Sequence, residues 1–312
     1  MNDIPDLSGR AAIVTGASGG IGLEVTRELA RKGAAVVLAC RSHSRGHAAL
    51  ESVEAGVPDA RVEVMELDLA DLSSIQRFAR TFRGSFDRLD LLINNAGVLL
   101  VPYGTTQDGF ERHFGINHLG HFALTGLLID RLLASDASRV VTVSSRGHVF
   151  GRMDFANLMF GSGRGYSAMR AYARSKLANL MFTYELQRRL PASSTMAVAA
   201  HPGGAATDLG RRMRERRLYR ATLPLLERLS QSASAAALPI LRAATDPNVA
   251  GGEFYGPSGL LGMRGHPVRV ESSHSSYDED TARRLWAISE ELTSVCFPLK
   301  ERPCQAPEVR MR

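Results

Sequence analysis

Short apolar runs of four or five residues alternate with amphipathic stretches from residue 11 to residue 255. This alternation constrains the fold more than any single motif. Runs at 11–14, 35–39, 62–65, 89–93, 140–143, 196–200 and 252–255 read as strands. Helical periodicity fills the stretches between, at 24–32, from about 44, at 72–82, 109–133, 169–190 and 232–244. A strand followed by a helix and then another strand forms a parallel crossover unit. Apolar runs without polar alternation fit strands covered on both faces. The expected fold is α/β: a single-domain, doubly wound parallel sheet with helices on both faces. Such sheets take ligands at the carboxyl ends of their strands.

No internal repeat or linker divides the 312 residues, so residues 8–295 are expected to form one unit. Residues 296–312 read as a C-terminal extension. From Phe297 onward it holds three prolines and scattered charges, and it is expected to be loosely held. The formal charge is +6, but the basicity is almost all arginine, with Lys32, Lys176 and Lys300 the only lysines. That bias is compositional and does not mark a nucleic-acid partner. It does make a lysine at any chosen position informative. Cys40, Cys296 and Cys304 lack metal-ligand spacing and fit free thiols in a reducing compartment. The first residues lack a signal-peptide pattern, and no apolar run reaches the ~20 residues of a membrane span. A cytoplasmic location is expected. His113, His118 and His121 share one helical stretch without a third ligand at suitable spacing, so no metal site is expected.

The run Thr15-Gly16-Ala17-Ser18-Gly19-Gly20-Ile21-Gly22 lies between the first strand and the first helix. Glycines there let backbone N–H groups approach a pyrophosphate at a helix N-terminus. The spacing is Gly-x-x-x-Gly-x-Gly rather than Gly-x-Gly-x-x-Gly. The second strand ends Ala39-Cys40-Arg41, without the acid that would accept a ribose 2′-hydroxyl. Arg41 suits a 2′-phosphate, with Ser18, His43 or Arg45 as helpers, and this favours NADP(H).

Tyr172 and Lys176 stand four residues apart, hence on one helix face. A lysine charge beside the phenol is expected to lower the tyrosine pKa from ~10 and prepare it for proton transfer.

Taken in order, these motifs resemble the short-chain dehydrogenase/reductase family over roughly residues 8–290. Thr15 to Gly22 matches its cofactor turn, and Leu67-Asp68-Leu69 matches the adenine-holding segment. Asn94-Asn95-Ala96-Gly97 follows strand four. Asn117 lies in the long helix, Ser144-Ser145 end strand five, and Tyr172 and Lys176 follow. His201-Pro202-Gly203 with Thr207 matches the segment that closes over the nicotinamide. The runs Val-Thr-Val-Ser-Ser-Arg-Gly-His at 141–148, Leu-Ala-Asn at 177–179 and Tyr-Gly-Pro at 255–257 look most like the retinol-dehydrogenase-like branch.

The resemblance implies a Rossmann-type fold and NADP(H) as cofactor. It implies a catalytic set of Asn117, Ser145, Tyr172 and Lys176. Tyr172 would be the general acid/base, and Ser145, rather than Ser144, would hold the substrate oxygen. Lys176 would bind the nicotinamide ribose, and Asn117 would anchor a relay water. Implied cofactor contacts are Gly16, Ser18, Gly20, Ile21, Gly22, Arg41, Asp68, Leu69, Asn94, Asn95, Ala96, Gly97, Pro202, Gly203 and Thr207, besides Tyr172 and Lys176. The implied reaction passes hydride between nicotinamide and the carbonyl or alcohol of a lipophilic small molecule. Rival readings are reduction of an activated C=C bond and a non-catalytic NADP sensor.

Residues 146–169 are expected to shape the substrate pocket. Phe150, Met153, Phe155, Met159 and Phe160 there form either an apolar wall or satellite core. A flap at about 203–230 is expected to contribute as well, and it carries Arg211, Arg212, Arg214, Arg216, Arg217 and Arg220. A basic face of this kind is most often simply solvated. Membrane-surface contact and a homo-oligomer stay open.

Overall fold

The computed structural model describes residues 4–190, 195–204 and 231–299. Eight strands form one sheet in the order β3-β2-β1-β4-β5-β6-β7-β8. They are β1 (Ala11–Thr15), β2 (Ala35–Cys40), β3 (Val62–Glu66), β4 (Leu91–Asn94), β5 (Arg139–Val143), β6 (Met196–Ala200), β7 (Phe254–Pro257) and β8 (Pro267–Arg269). The first seven run parallel, and β8 closes the sheet antiparallel to β7. The helices are α1 (Gly20–Arg31), α2 (His43–Gly56), α3 (Leu72–Ser85), α4 (Arg112–Phe114), α5 (Gly120–Leu133), α6 (Ala168–Arg189), α7 (Ala233–Thr245) and α8 (Glu279–Thr293).

The period of two along each strand sends neighbouring side chains to opposite layers. Ala12, Val14, Val36 and Leu38 join Val25 and Leu29 of α1 and Ile240 of α7 on one face. Ile13, Val37, Leu92 and Val140 join Phe78 and Phe82 of α3, Phe122 of α5 and Phe182 of α6 on the other. Each such fully buried Val, Leu, Ile or Phe side chain contributes about 1.5–3 kcal/mol of transfer free energy. Covering both faces is why the strands are apolar throughout.

Strand order reverses between β1 and β4, which opens a crevice at their carboxyl ends. Register puts Thr15 beside Ala39, and Asn94 beside Thr142, at that rim. Side chains cap α2, α3, α7 and α8 through Ser42, Asp71, Ser232 and Asp278, whereas α1 has no side-chain cap. Its first N–H groups therefore stay available at the crevice.

Several expectations are corrected. Residues 109–133 are not one α-helix. Gly109 has φ +84°, which a helix does not accommodate, and the carboxylate of Glu111 caps α4 by accepting from His113 N and Phe114 N. A π-helical turn at Gly115–Leu119 then separates α4 from α5. The last parallel strand falls at Phe254–Pro257, two residues beyond the apolar run, because Gly251 and Gly252 form a turn.

Phe297 itself is held against the core, whereas residues 300–312 of the expected extension lie outside the described residues. The Phe297 ring packs 4.9 Å from Phe122 and 4.6 Å from Trp286, over the space left by Gly126. Cys40 is free and buried, but Cys296 is disulfide-bonded, against the expectation of free thiols. Among the described residues, no helix is long and apolar enough to cross a membrane.

Candidate active site

The turn after β1 is built for close approach. Gly16 has φ +68°, a conformation open to glycine. A Cβ on Gly22 would sit 2.6 Å from the Gly16 carbonyl oxygen and 2.7 Å from Asn95 Nδ2. Asn95 Nδ2 donates to the Thr15 carbonyl at 2.8 Å. The N–H groups of Asn95 and Ala96 both donate to Thr15 Oγ1 at 2.9 Å. The ends of β1 and β4 are thus tied around a glycine cradle. Gly22→Ala is expected to push these strand ends apart and destabilise the fold by about 1–3 kcal/mol, the range for overpacking. Urea unfolding of the two proteins measures it, and an unchanged midpoint would contradict the cradle.

A cleft of about 390 Å³ runs from this turn to the N-terminal part of α6. At one end lie Ser18, Arg41, Ser42 and Arg45, with Asp68 and Leu69 along the side. At the other lie Ser144, Tyr172, Lys176 and Pro202. Asp68 is the one carboxylate among the described lining residues, and it stands where the resemblance puts the adenine. Its Oδ1 accepts from Ala70 N at 2.9 Å. Cys40 also lines the cleft, and burial lifts its thiol pKa to about 11, so it is a weak nucleophile there.

On α6, Tyr172 and Lys176 face the cleft one turn apart. The side chain of Ser145, the second residue beyond β5, is the hydrogen-bonding neighbour of the Tyr172 phenol. Ser145 Oγ also accepts from Gly147 N at 3.1 Å. Lys176 Nζ donates to the Val143 carbonyl at 2.9 Å and lies 5.9 Å from the Tyr172 ring centre.

The expected electrostatics are reversed. Burial raises the Tyr172 pKa, and the bond to Ser145 offsets this only in part. Burial lowers the Lys176 pKa to about 8, because an ammonium loses hydration inside the protein. Desolvation therefore sets the direction of the Tyr172 shift, and the Lys176 ammonium is directed at the Val143 carbonyl.

Asn117 sits in the π-helical turn, fully buried. Its Oδ1 accepts from Val98 N at 2.8 Å, and its Nδ2 donates to Val98 O at 3.1 Å and Ser175 Oγ at 2.9 Å. The side-chain amide is thus committed to the loop after β4 and to α6.

The cleft brings together Gly16, Ser18, Gly20, Ile21, Gly22, Arg41, Asp68, Leu69, Asn95, Ala96, Gly97, Tyr172, Lys176 and Pro202. Ser144 also lines it, but its hydroxyl donates to the Lys176 carbonyl at 2.7 Å, which leaves Ser145 as the partner of Tyr172. Asn94 is not brought in. It is buried in β4 and donates from Nδ2 to Thr125 Oγ1 at 3.1 Å. Gly203 backs onto Met263, whose carbonyl oxygen would lie 2.5 Å from a Cβ. Thr207 and residues 211–220 lie outside the described residues.

Sequence reasoning missed Val98, Leu99 and Ile116 as lining residues. The apolar run directly after Gly97 was the available signal. Met153, Phe155 and Met159 pack with Leu158, Leu177 and Met181 as a satellite core, Phe160 is buried beneath Arg174, and Phe150 is 74% exposed. Met153, Phe155 and Met159 thus form satellite core, Phe160 is buried apart from them and Phe150 is exposed, so the five make no continuous wall.

The model of the short chain dehydrogenase family matches residues 10–218. Among curated relatives, retinol dehydrogenase 13 of Homo sapiens is 41% identical over 95% of this chain and 88% of its own length. Retinol dehydrogenase 12 of Mus musculus is 40% identical over 93% and 88%. A crystal structure of an uncharacterized protein from Mycobacterium paratuberculosis is 44% identical, with TM-score 0.79, over 96% of this chain and 98% of that one. A short-chain dehydrogenase of Shigella flexneri solved with NADP shares the fold, at 24% identity and TM-score 0.61, over 80% of this chain and 97% of that one. With this cleft at the switch point of a doubly wound sheet, the chain belongs to the short-chain dehydrogenase/reductase family of oxidoreductases, in its retinol-dehydrogenase-like branch.

Proposed function

We propose that this protein is an NADP(H)-dependent oxidoreductase of the carbonyl/alcohol pair in a lipophilic small molecule, with Tyr172 as general acid/base. One observation carries the reading: a single cleft joins the basic pair Arg41 and Arg45 to the Tyr172–Lys176 pair through the glycine turn. The residues fit a dinucleotide, since the cradle at Gly22 has no room for a Cβ and the uncapped start of α1 faces the cleft. Backbone groups of residues 16–22 would hold the pyrophosphate. Arg41 and Arg45 would hold a 2′-phosphate, Asp68 and Leu69 the adenine, and Lys176 with Pro202 the nicotinamide end. The retinol dehydrogenases among the relatives act, by name, on a lipophilic alcohol.

When bound, the nicotinamide supplies or accepts the hydride. The protein handles the oxygen and its proton. In reduction, Ser145 and Tyr172 hydrogen-bond the substrate oxygen, and the Tyr172 hydroxyl gives it a proton as negative charge develops. A raised phenol pKa keeps Tyr172 protonated and ready to donate. Lys176, with a pKa of about 8, changes charge close to neutral pH and is suited to support proton return to Tyr172.

The test is consumption of NADPH against ketones, aldehydes, quinones and enones of graded size. Binding without oxidation across the whole panel overturns the oxidoreductase reading. Activity confined to enones supports the double-bond alternative. Arg41→Ala is expected to raise the Kd for NADPH about 10- to 100-fold, the 1.5–3 kcal/mol of a charge-assisted contact, with little change for NADH. Equal effects on the two cofactors refute the phosphate assignment.

A further inference from the structure

His121 is 1% exposed and lies one turn beyond Asn117 on the same helical rod. Both of its ring nitrogens are engaged. Nδ1 is 3.0 Å from the Asn117 carbonyl oxygen, and Nε2 is 2.9 Å from Thr15 Oγ1. A carbonyl oxygen only accepts, so Nδ1 carries the proton. In the neutral ring Nε2 then accepts, and Thr15 must donate to it. The geometry agrees, because Thr15 Oγ1 already receives the N–H groups of Asn95 and Ala96. Among the described residues, the other acceptor for the Thr15 proton, the Ile93 carbonyl, is farther away at 3.3 Å. Burial, aided by the nearby Lys176 charge, lowers the His121 pKa to about 4 and keeps the ring neutral.

We propose that His121 is a positioning residue. It locks the Asn117 carbonyl in the π-helical turn to Thr15 at the base of the glycine turn, so that cofactor grip and alignment of the proton-handling residues are set together. The side chain of Asn117 is already committed to Val98 and Ser175, so His121 fixes the acceptor that remains. On the other side, Thr15 is the residue on which the ends of β1 and β4 converge. The inference rests on the oxidoreductase reading above, since it assumes that a dinucleotide seats on that turn.

Two substitutions divide the bridge. An asparagine amide reaches about as far as Nδ1, so His121→Asn keeps the bond to Asn117 and loses Thr15. A glutamine amide reaches about as far as Nε2, so His121→Gln keeps Thr15 and loses Asn117. The readouts are the Kd of NADPH, from its fluorescence on binding, and kcat at saturating cofactor. His121→Asn is expected to raise Kd more than it lowers kcat, and His121→Gln to lower kcat more than it raises Kd. Each main effect is about fivefold, the worth of one neutral hydrogen bond.

Thr15→Val should reproduce the Kd rise, Thr15→Ser should restore wild-type behaviour, and Thr15→Val with His121→Asn should be no worse than Thr15→Val alone. If either His121 variant fails to fold, the Thr15 pair still decides, and Thr15→Val with an unchanged Kd overturns the bridge. Folded His121 variants that match wild type, or that lose Kd and kcat in parallel, overturn it as well. A wild-type protein that binds no NADPH removes the functional reading and the bridge together. A normal wild type with unaffected variants removes only the bridge.

Discussion

Replacing Tyr172 by phenylalanine is expected to lower kcat by about 10²- to 10⁴-fold, the contribution of one positioned proton donor. The substitution removes the hydroxyl that meets Ser145 and leaves the ring, which packs edge-on to His113 at 6.2 Å. The cleft keeps its shape, and Lys176 keeps its bond to Val143. The Kd for NADPH should therefore change by less than about 1 kcal/mol, a small part of the total affinity. Single-turnover kinetics with pre-bound NADPH separates the two quantities. A variant that keeps more than a tenth of wild-type turnover would mean that another group moves the proton. Ser145→Ala is the natural companion, because it deletes the partner of Tyr172 without touching α6.

Acid should unfold this protein sharply between about pH 6 and pH 4. Three buried histidines are held neutral: His118 and His201, each with a pKa of about 3, and His121 at about 4. Burial is the main cause in each, with the charge of Lys176 adding to it at His121 and that of Arg146 at His201. In the unfolded chain each would titrate near ~6.5. Between the folded and unfolded values the unfolded state binds more protons, so stability falls as pH falls. Above the unfolded value there is no loss.

Each histidine removes up to about 1.4 kcal/mol per pH unit, so three remove about 6 kcal/mol by pH 5. A typical domain has about 5–15 kcal/mol in total. Lys176 adds no slope in this window, because its folded pKa of about 8 lies above it. Trp286, the sole tryptophan, is buried against Phe122 and Phe297 and reports unfolding by its emission. A urea midpoint at pH 4.5 equal to that at pH 8 would refute the account.

Much of the architecture was legible because burial on both faces leaves a plain trace. All seven parallel strands fall within two residues of the apolar runs that announce them. The Tyr172–Lys176 pair could be placed because a spacing of four means one face on any helix. The π-helical turn was not legible. It arises from a shift of backbone partners near Asn117, and no residue type in the run Gly-Ile-Asn-His-Leu demands that shift.

The sign of the Tyr172 shift was missed for a related reason. Charge pairing is visible in spacing, whereas desolvation depends on how deeply the surrounding chain covers the group. α8 did leave a signal, with Asp278 as cap and Glu279 and Asp280 in its first turn. Its apolar positions Ala282, Leu285, Trp286, Ile288 and Leu292 also carry helical spacing, so this helix was legible and was overlooked. The packing of Phe297 depends on the gap at Gly126, far away in sequence, and nothing local encodes it.

The two borders of the sheet bear on how copies of this chain can associate. Exposed edge strands invite pairing with another molecule, and thence fibres. Here one border is β3, which carries Glu63 and Glu66, so two copies joined along it bring like charges together. The other is β8, three residues long and opened by Pro267, which has no N–H to offer. The antiparallel β8 therefore acts as a stopper on β7. Among the described residues, continuous strand addition is therefore disfavoured at both borders of the sheet.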